Sequence, residues 1–462
     1  MNKYDVVVIG AGPGGYPCAI RLGQLKKKVL IVEEKLLGGL CLNWGCIPTK
    51  ALSFAAELVD DFEKAKRMGF DLTFNGYDLD KVRNWKESVV KRLRTGIEYL
   101  FKANGVEWKK GRARIIDEYK VEIEMETGIE TVEAGNIVIA TGTEVISLPG
   151  LEFDHKHVID TDDALDLKEI PERLLVIGAG ASGLEMATIY SRFGSAVTVV
   201  EIMDQVLPGM ETELCEALQK IMKKSGIELY LGSQVTGFEL LDNRIEVSIK
   251  TSGDVREAIY DKILVSVGRR PSVSSFERMG IELDSKGYVK TDATFKTNLS
   301  NIYAIGDIAG PPLLAHKATR QGIIVAENIA GLKKTPGKSI IPSCVFTIPP
   351  LSAAGLTEAE AIANGHKVKV GRFPYRALGK AISMGETEGL VKIVGSEEGK
   401  LLGIHILGAE SPNLIGEAVL ALDQGLDVEH ITGSIHPHPT LTEALQEAAE
   451  NFFNKAIHVA NK

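Results

Sequence analysis

The stretch YDVVVIGAGPGG, residues 4 to 15, decides how this chain begins to fold. Its β-branched apolar run reads as a strand buried on both faces, and the glycines after it read as the turn into a helix. A helix around Tyr16 to Leu25 and a second strand, VLIVE, ending at Glu33, complete the unit. The plan returns at residues 173 to 201: LLVIG, then GAGASG from Gly178, a helix around Leu184 to Phe193, and VTVVE ending at Glu201. Glu201 follows Gly178 at the same interval at which Glu33 follows Gly10.

Glycine-rich turns also serve ordinary α/β proteins that bind no nucleotide, so either motif alone would be weak. Here each lies between a predicted strand and a predicted helix, and each is followed by an acid at the end of the next strand. Gly10, Gly12, Gly14 and Gly15, and again Gly178, Gly180 and Gly183, would let the backbone approach a pyrophosphate. The helix N-terminus would offer that group unpaired N–H groups and a positive dipole. Glu33 and Glu201 are placed to accept from ribose hydroxyls. Ile202, Met203 and Asp204 follow Glu201 where arginines would be needed for a 2′-phosphate, so NAD is expected rather than NADP.

At 462 residues the chain has room for several domains of about 100 to 150 residues each. A net charge of -9 without a dense Lys/Arg stripe argues against nucleic acid as a partner, and Lys26, Lys27 and Lys28 read as a solvated turn. No apolar run reaches the roughly 18 residues of a membrane span. The first residues enter a strand directly, leaving no room for a signal or transit peptide, so a cytoplasmic address is expected. Residues 54 to 104 read as a long helical pair, and short strands at 121 to 139 and 227 to 265 read as antiparallel inserts. From about Lys338 the strands VKVGRFPY, GLVKIVG and LLGIHILG, with helices over Leu414 to Gln424 and Leu441 to Phe453, form a separate α+β region.

The five cysteines, Cys18, Cys41, Cys46, Cys215 and Cys344, are too few and too irregular for a secreted disulfide scaffold. Cys41 and Cys46 lie together in GGLCLNWGCIPTK, residues 38 to 50. They could be small buried hydrophobes, metal ligands or a redox pair. Metal would need two further ligands, and no nearby Cys or His supplies them, so no metal is expected. If Cys46 opens a helix, the N-terminal N–H groups would lower its thiol pKa and favour the reactive thiolate. Pro48 suits an early helical position, where its missing N–H costs nothing.

GAGPGG, the GGxCxNxGCxPxK box, the second GAGxxG and IYAIGDIAG at 302 to 310 together resemble the pyridine nucleotide-disulfide oxidoreductases, in order and over essentially the whole chain. The branch that oxidises dihydrolipoamide is the most similar. The resemblance implies an α/β fold with two Rossmann-like dinucleotide-binding domains and a C-terminal α+β dimerisation domain. Its divisions would be an FAD-binding domain over 1–147, an NAD-binding domain over 148–270, a central segment over 271–337 completing the FAD domain, and the C-terminal domain over 338–462. It implies Cys41 as the thiol that exchanges with substrate and Cys46 as the thiol that contacts the flavin. Lys50 would lie near the flavin N5, with Glu185 as its carboxylate partner beside the nicotinamide. Buried together, that pair would have to neutralise each other. Asp307 would bind the ribityl chain, while Thr141 and Gly142 of the ATG segment and Gly268 of GRRP would close around the adenine half of FAD.

Dithiol exchange needs a base, and HPHPTLTE, residues 436 to 443, offers one. His438 resembles the family base and Glu443 the carboxylate that fixes its tautomer, with His436 competing for the role. The family base serves the disulfide of the other subunit, which implies a homodimer. The implied partners are lipoyl-carrying subunits of 2-oxoacid dehydrogenase or glycine-cleavage complexes. The alternative is an NADH-dependent reductase of another small disulfide. Leu40, Trp44 and Ser182 depart from the family pattern, which leaves substrate preference and FAD affinity open, and Pro17 is compatible only with the first helical turn.

Overall fold

The computed structural model describes residues 2–337 and 339–461. Two compact units divide the chain. One comprises Met1–Leu52, Asp78–Ile146 and Gly268–Gly337, and the other Ser53–Tyr77, Ser147–Val267 and Lys338–Lys462. Met1, Lys462 and Lys338, the expected first residue of the C-terminal domain, lie outside the described residues.

The first unit is built on strands β1 (Asn2–Ile9), β2 (Val29–Glu33), β3 (Val106–Lys110), β4 (Arg112–Asp117), β5 (Lys120–Met125) and β6 (Gly128–Ile139), in the order β3-β2-β1-β6-β5-β4. The three adjacent pairs from β3 to β6 are parallel, and Ile302–Ala304 joins the far half of β6 in parallel. Val6, Val7 and Val8 are fully buried, so the valine run covers both faces of the sheet, as an all-parallel core requires. Helix α1 (Gly15–Gln24) follows β1, and Pro17 falls at its third residue, within the first turn. Helices α2 (Gly39–Trp44), α3 (Cys46–Arg67) and α4 (Leu79–Ala103) follow β2. The helical pair expected over 54 to 104 is therefore present, with its first helix starting earlier, at Cys46.

The second unit repeats this parallel order with strands Glu228–Tyr230, Ala196–Val200, Arg173–Ile177, Lys262–Val265 and Val158–Ile159. The reading of 227 to 265 as an antiparallel insert holds only for its middle. Gln234–Leu241, Arg244–Lys250 and Val255–Tyr260 form a separate antiparallel sheet. Glu228–Tyr230 and Lys262–Val265 instead extend the parallel sheet, pairing with strands about thirty to ninety positions away that no local pattern reveals. A further antiparallel sheet contains Ser343–Val345, Leu351–Gly355, Leu401–Leu407, Leu390–Ser396 and Val368–Pro374, in that spatial order. Helices Ser411–Asp423 and Glu443–Phe452 share one core with it, in which Phe373, Ile393, Ile404, Ala418, Ala448 and Phe452 are fully or almost fully buried.

Candidate active site

Cys41 and Cys46 form a disulfide with their Cα atoms 4.7 Å apart. Cys41 lies in α2, and Cys46 is the first residue of α3. The first turn of α3 carries no acid, so the positive end of a 22-residue helix stands beside the Cys46 sulfur. Pro48 is the third helical residue, and Thr49 donates from Oγ1 to the Gly45 carbonyl at 2.6 Å. Burial pushes the thiols of Cys18 and Cys215 up to about 12, so both behave as packing groups rather than nucleophiles.

The two glycine turns share one geometry. Gly10 has φ +98° and Gly178 φ +104°, and a Cβ on either would strike a backbone carbonyl, that of Ala140 or of Ser266. A Cβ on Gly15 or Gly183 would likewise overlap the carbonyl of Gly10 or Gly178, the first residue of its own turn. Both following helices, α1 and Ala181–Arg192, start from a glycine N-cap with no side-chain cap and no acid in the first turn. No side-chain cap or acid therefore competes with an anion at either helix start, although in α1 Tyr16 N already donates to Gly12 O and Pro17 has no N–H. Glu33 accepts from Ala11 N at 2.7 Å and Lys35 N at 2.8 Å; Glu201 accepts from Ala179 N at 2.7 Å and Met203 N at 2.8 Å. Each carboxylate is held by its own turn, with a lone pair remaining on each oxygen for a ribose hydroxyl. Burial raises the pKa of Glu33, and the two N–H donors offset only part of that rise. These residues fit one dinucleotide at each turn.

The other residues expected at the first site lie on distant segments of the same unit. Strand Thr143–Val145 pairs antiparallel with Arg269–Pro271. Thr141 donates from Oγ1 to Ser272 O at 2.8 Å, and Ser272 N donates back to Gly142 O at 3.0 Å. Gly142 and Gly268 both have positive φ, +68° and +128°. Asp307 sits in the short helix Gly306–Ala309, where burial raises its pKa against the opposing pull of Lys317 and Arg269. Lys317 is itself buried, donates to Gly310 O, and has its ammonium pKa lowered by burial against the pull of Asp307. Gln321 accepts from Gly306 N at 2.8 Å. Neither Lys317 nor Gln321 was singled out from sequence; the one available signal was a lysine on the apolar face of the helix Ala315–Ile329.

Lys50 lies on α3 in the first unit, one turn beyond Cys46. In the second unit Glu185 is buried on the helix Ala181–Arg192, where Oε1 accepts from Phe346 N at 2.8 Å. The two histidines of HPHPTLTE separate cleanly. The His436 side chain is 6% exposed, with Nε2 3.0 Å from Glu417 Oε1 and Nδ1 3.1 Å from Ser434 O. Both of its nitrogens face acceptors, and the Glu417 carboxylate raises its pKa despite burial. The His438 side chain is 78% exposed, with Nδ1 2.8 Å from Glu443 Oε1. Glu443 also accepts from Thr440 N at 2.9 Å. Burial raises the pKa of Glu443, but the hydrogen bonds from His438 and Thr440 outweigh it and leave that pKa below the usual range. The Glu443 carboxylate thus engages Nδ1 of His438, and Nε2 lies on the opposite side of the ring from that contact.

A disulfide at a helix start and two dinucleotide turns define an oxidoreductase that carries electrons between a dithiol and a nicotinamide. Residues 4–322 match the pyridine nucleotide-disulphide oxidoreductase family and residues 341–449 its dimerisation domain. The chain belongs to that family. It is an NAD-dependent flavoprotein oxidoreductase, with FAD and NAD(H) as its cofactors. The dihydrolipoyl dehydrogenase of Thermus scotoductus is 44% identical, with 100% of each chain covered. That of Bacillus subtilis is 40% identical over 98% of this chain and 97% of the relative. The solved Cu(II) complex of the HOCl-induced flavoprotein disulfide reductase RclA from Escherichia coli superposes with a TM-score of 0.87 at 26% identity, covering 97% of this chain and 99% of that one. Among the described residues, no helix is long and apolar enough to cross a membrane.

Proposed function

We propose that this chain oxidises dihydrolipoamide, carried on lipoyl-bearing subunits of a 2-oxoacid dehydrogenase or glycine-cleavage complex, to lipoamide while NAD is reduced to NADH. The observation that carries this reading is the Cys41–Cys46 disulfide at the start of α3. The relatives named dihydrolipoyl dehydrogenase, similar from end to end, support the choice of substrate.

One substrate thiol, deprotonated by His438 Nε2, attacks Cys41 Sγ. The Cys41–Cys46 bond breaks, and Cys46 leaves as a thiolate stabilised by the α3 N-terminus. The second substrate thiol then attacks the substrate sulfur of the mixed disulfide, closing lipoamide and releasing Cys41. Two electrons now reside in the Cys41/Cys46 dithiol, and the net reaction yields lipoamide, NADH and one proton. FAD held at the first turn would supply the two-electron chemistry that links this dithiol to NAD. Glu443 fixes the His438 tautomer, Glu33, Thr141, Gly142, Gly268 and Asp307 would hold FAD, and Glu201 would hold the NAD ribose. Lys50 in the first unit would serve the flavin, and Glu185 in the second would serve the nicotinamide. The working form is a cytoplasmic homodimer in which His438 of one chain serves the disulfide of the other.

A second reading, NADH-dependent reduction of another small disulfide, is favoured by the likeness to RclA, a disulfide reductase. Anaerobic reduction of NAD by dihydrolipoamide, with glutathione and coenzyme A thiols run in parallel, separates the two. Fast NADH formation with dihydrolipoamide alone supports the first. If NADH reduces the flavin but lipoamide is ignored, the substrate assignment fails while the cysteine chemistry stands.

A further inference from the structure

We infer that Asn43, held by Arg94, is the positioning residue that sets the Cys41–Cys46 disulfide against the first dinucleotide turn. This rests on Cys41–Cys46 being the exchanging disulfide. The helix that carries Cys41, α2, is only six residues long, and its N-cap Gly38 and C-cap Gly45 provide no side-chain cap. A single helical turn has no stability of its own in water. Its orientation must come from elsewhere, and among its residues only Leu42 and Asn43 are buried.

The Asn43 carboxamide is fully used. Nδ2 donates to Leu37 O at 3.0 Å and Gly39 O at 2.9 Å, and Oδ1 accepts from Arg94 Nη1 at 3.2 Å. Only this amide orientation is consistent, because the flipped one would set an oxygen against two carbonyls and an NH₂ against a guanidinium. The turn it grips is fastened to the nucleotide loop. Gly38 N donates to Ala11 O at 2.9 Å, and a Cβ on Gly39, whose φ is +58°, would stand 2.6 Å from Gly12 Cα. One buried side chain therefore links the nucleotide loop, the disulfide-bearing turn and helix α4. Gly45, packed against Cys41 Cα, leads directly into Cys46, so a rotation of α2 would move both sulfurs.

Asn43→Asp tests this without changing shape. It keeps the acceptor facing Arg94 but turns the two donors into an oxygen facing carbonyls. Arg94→Ala is the companion, removing only the third contact. In the flavin-loaded enzyme two quantities are measured: the equilibrium constant of the Cys41–Cys46 couple in dithiothreitol buffers, and dihydrolipoamide–NAD turnover relative to NADH-driven reduction of an artificial acceptor. Asn43→Asp is expected to shift the equilibrium constant and lower the turnover ratio by about tenfold each, the loss of one to two buried hydrogen bonds, with Arg94→Ala smaller in the same direction. If both variants keep the wild-type equilibrium constant and ratio, or lose both activities in proportion to lost flavin, Asn43 is only a packing residue. Should Asn43→Asp fail to fold, Arg94→Ala alone decides between these outcomes. A wild type that ignores dihydrolipoamide would sink the substrate assignment but leave the dithiothreitol measurement to judge Asn43.

Discussion

Cys41 and Cys46 occupy unequal surroundings, and their difference sets what each substitution does. Cys46 opens α3 and gains the dipole of that helix, whereas Cys41 sits in the uncapped turn of α2. Cys46→Ser should abolish dihydrolipoamide–NAD turnover while NADH-driven reduction of an artificial acceptor persists; retained lipoamide turnover would defeat the assignment. The two histidines divide in the same manner. His438→Gln removes an exposed base held by Glu443, and turnover should drop by roughly 10²- to 10⁴-fold. His436→Gln leaves the chemistry in place, because the His436 side chain is committed to Glu417 and Ser434. Its turnover should stay within a few-fold of wild type, and comparing the two variants in one assay checks the division.

At the scale of elements, the same His436 pair ties the segment before Pro437 to the helix Ser411–Asp423 that bears Glu417. Its pKa is raised in the folded state, so the contribution to stability is fully present below the unfolded value of about 6.5 and is lost as pH rises through the folded value. The wild type should lose thermal stability between weakly acidic and alkaline pH more steeply than His436→Gln; equal slopes would remove the pair from the account. The glycine turns allow a second test. Gly183→Ala places a methyl against the Gly178 carbonyl, a backbone atom that cannot yield cheaply. Overpacking there should cost about 1–3 kcal/mol, read as a rise in KM for NAD of roughly tenfold or more with flavin content unchanged.

For the whole molecule, the C-terminal unit exposes apolar side chains that a lone chain would leave in water. Ile435 is 98% exposed and Ile457 79%, the first within the segment matched to the dimerisation domain. Burying one isoleucine is worth about 1.5–3 kcal/mol. Ile435→Asp should therefore weaken self-association, seen as a concentration-dependent fall in sedimentation coefficient. Dihydrolipoamide–NAD turnover should fall with the dimer while NADH-driven reduction of an artificial acceptor remains. A monomer with full turnover per chain would show that His438 does not act across subunits.

The sequence alone determined the two dinucleotide units and singled out Cys41 and Cys46, whereas the start of the helix at Cys46, ahead of the expected residue 54, came from the structure. Each unit is local: a valine strand, a glycine turn and an acid at the end of the next strand encode its backbone within about thirty residues. The α+β character of the tail was legible for the same reason, from its strand and helix periodicities. Tertiary structure alone decided which histidine is exposed, since Glu417, which occupies His436, lies 19 positions earlier on another helix. It also decided that Glu228–Tyr230 and Lys262–Val265 join the parallel sheet, and that Lys317 and Arg94 come to Asp307 and Asn43. A strand's pattern reports which faces are buried but not which neighbour it pairs with, and a polar side chain's partner is chosen by packing between segments far apart in the chain.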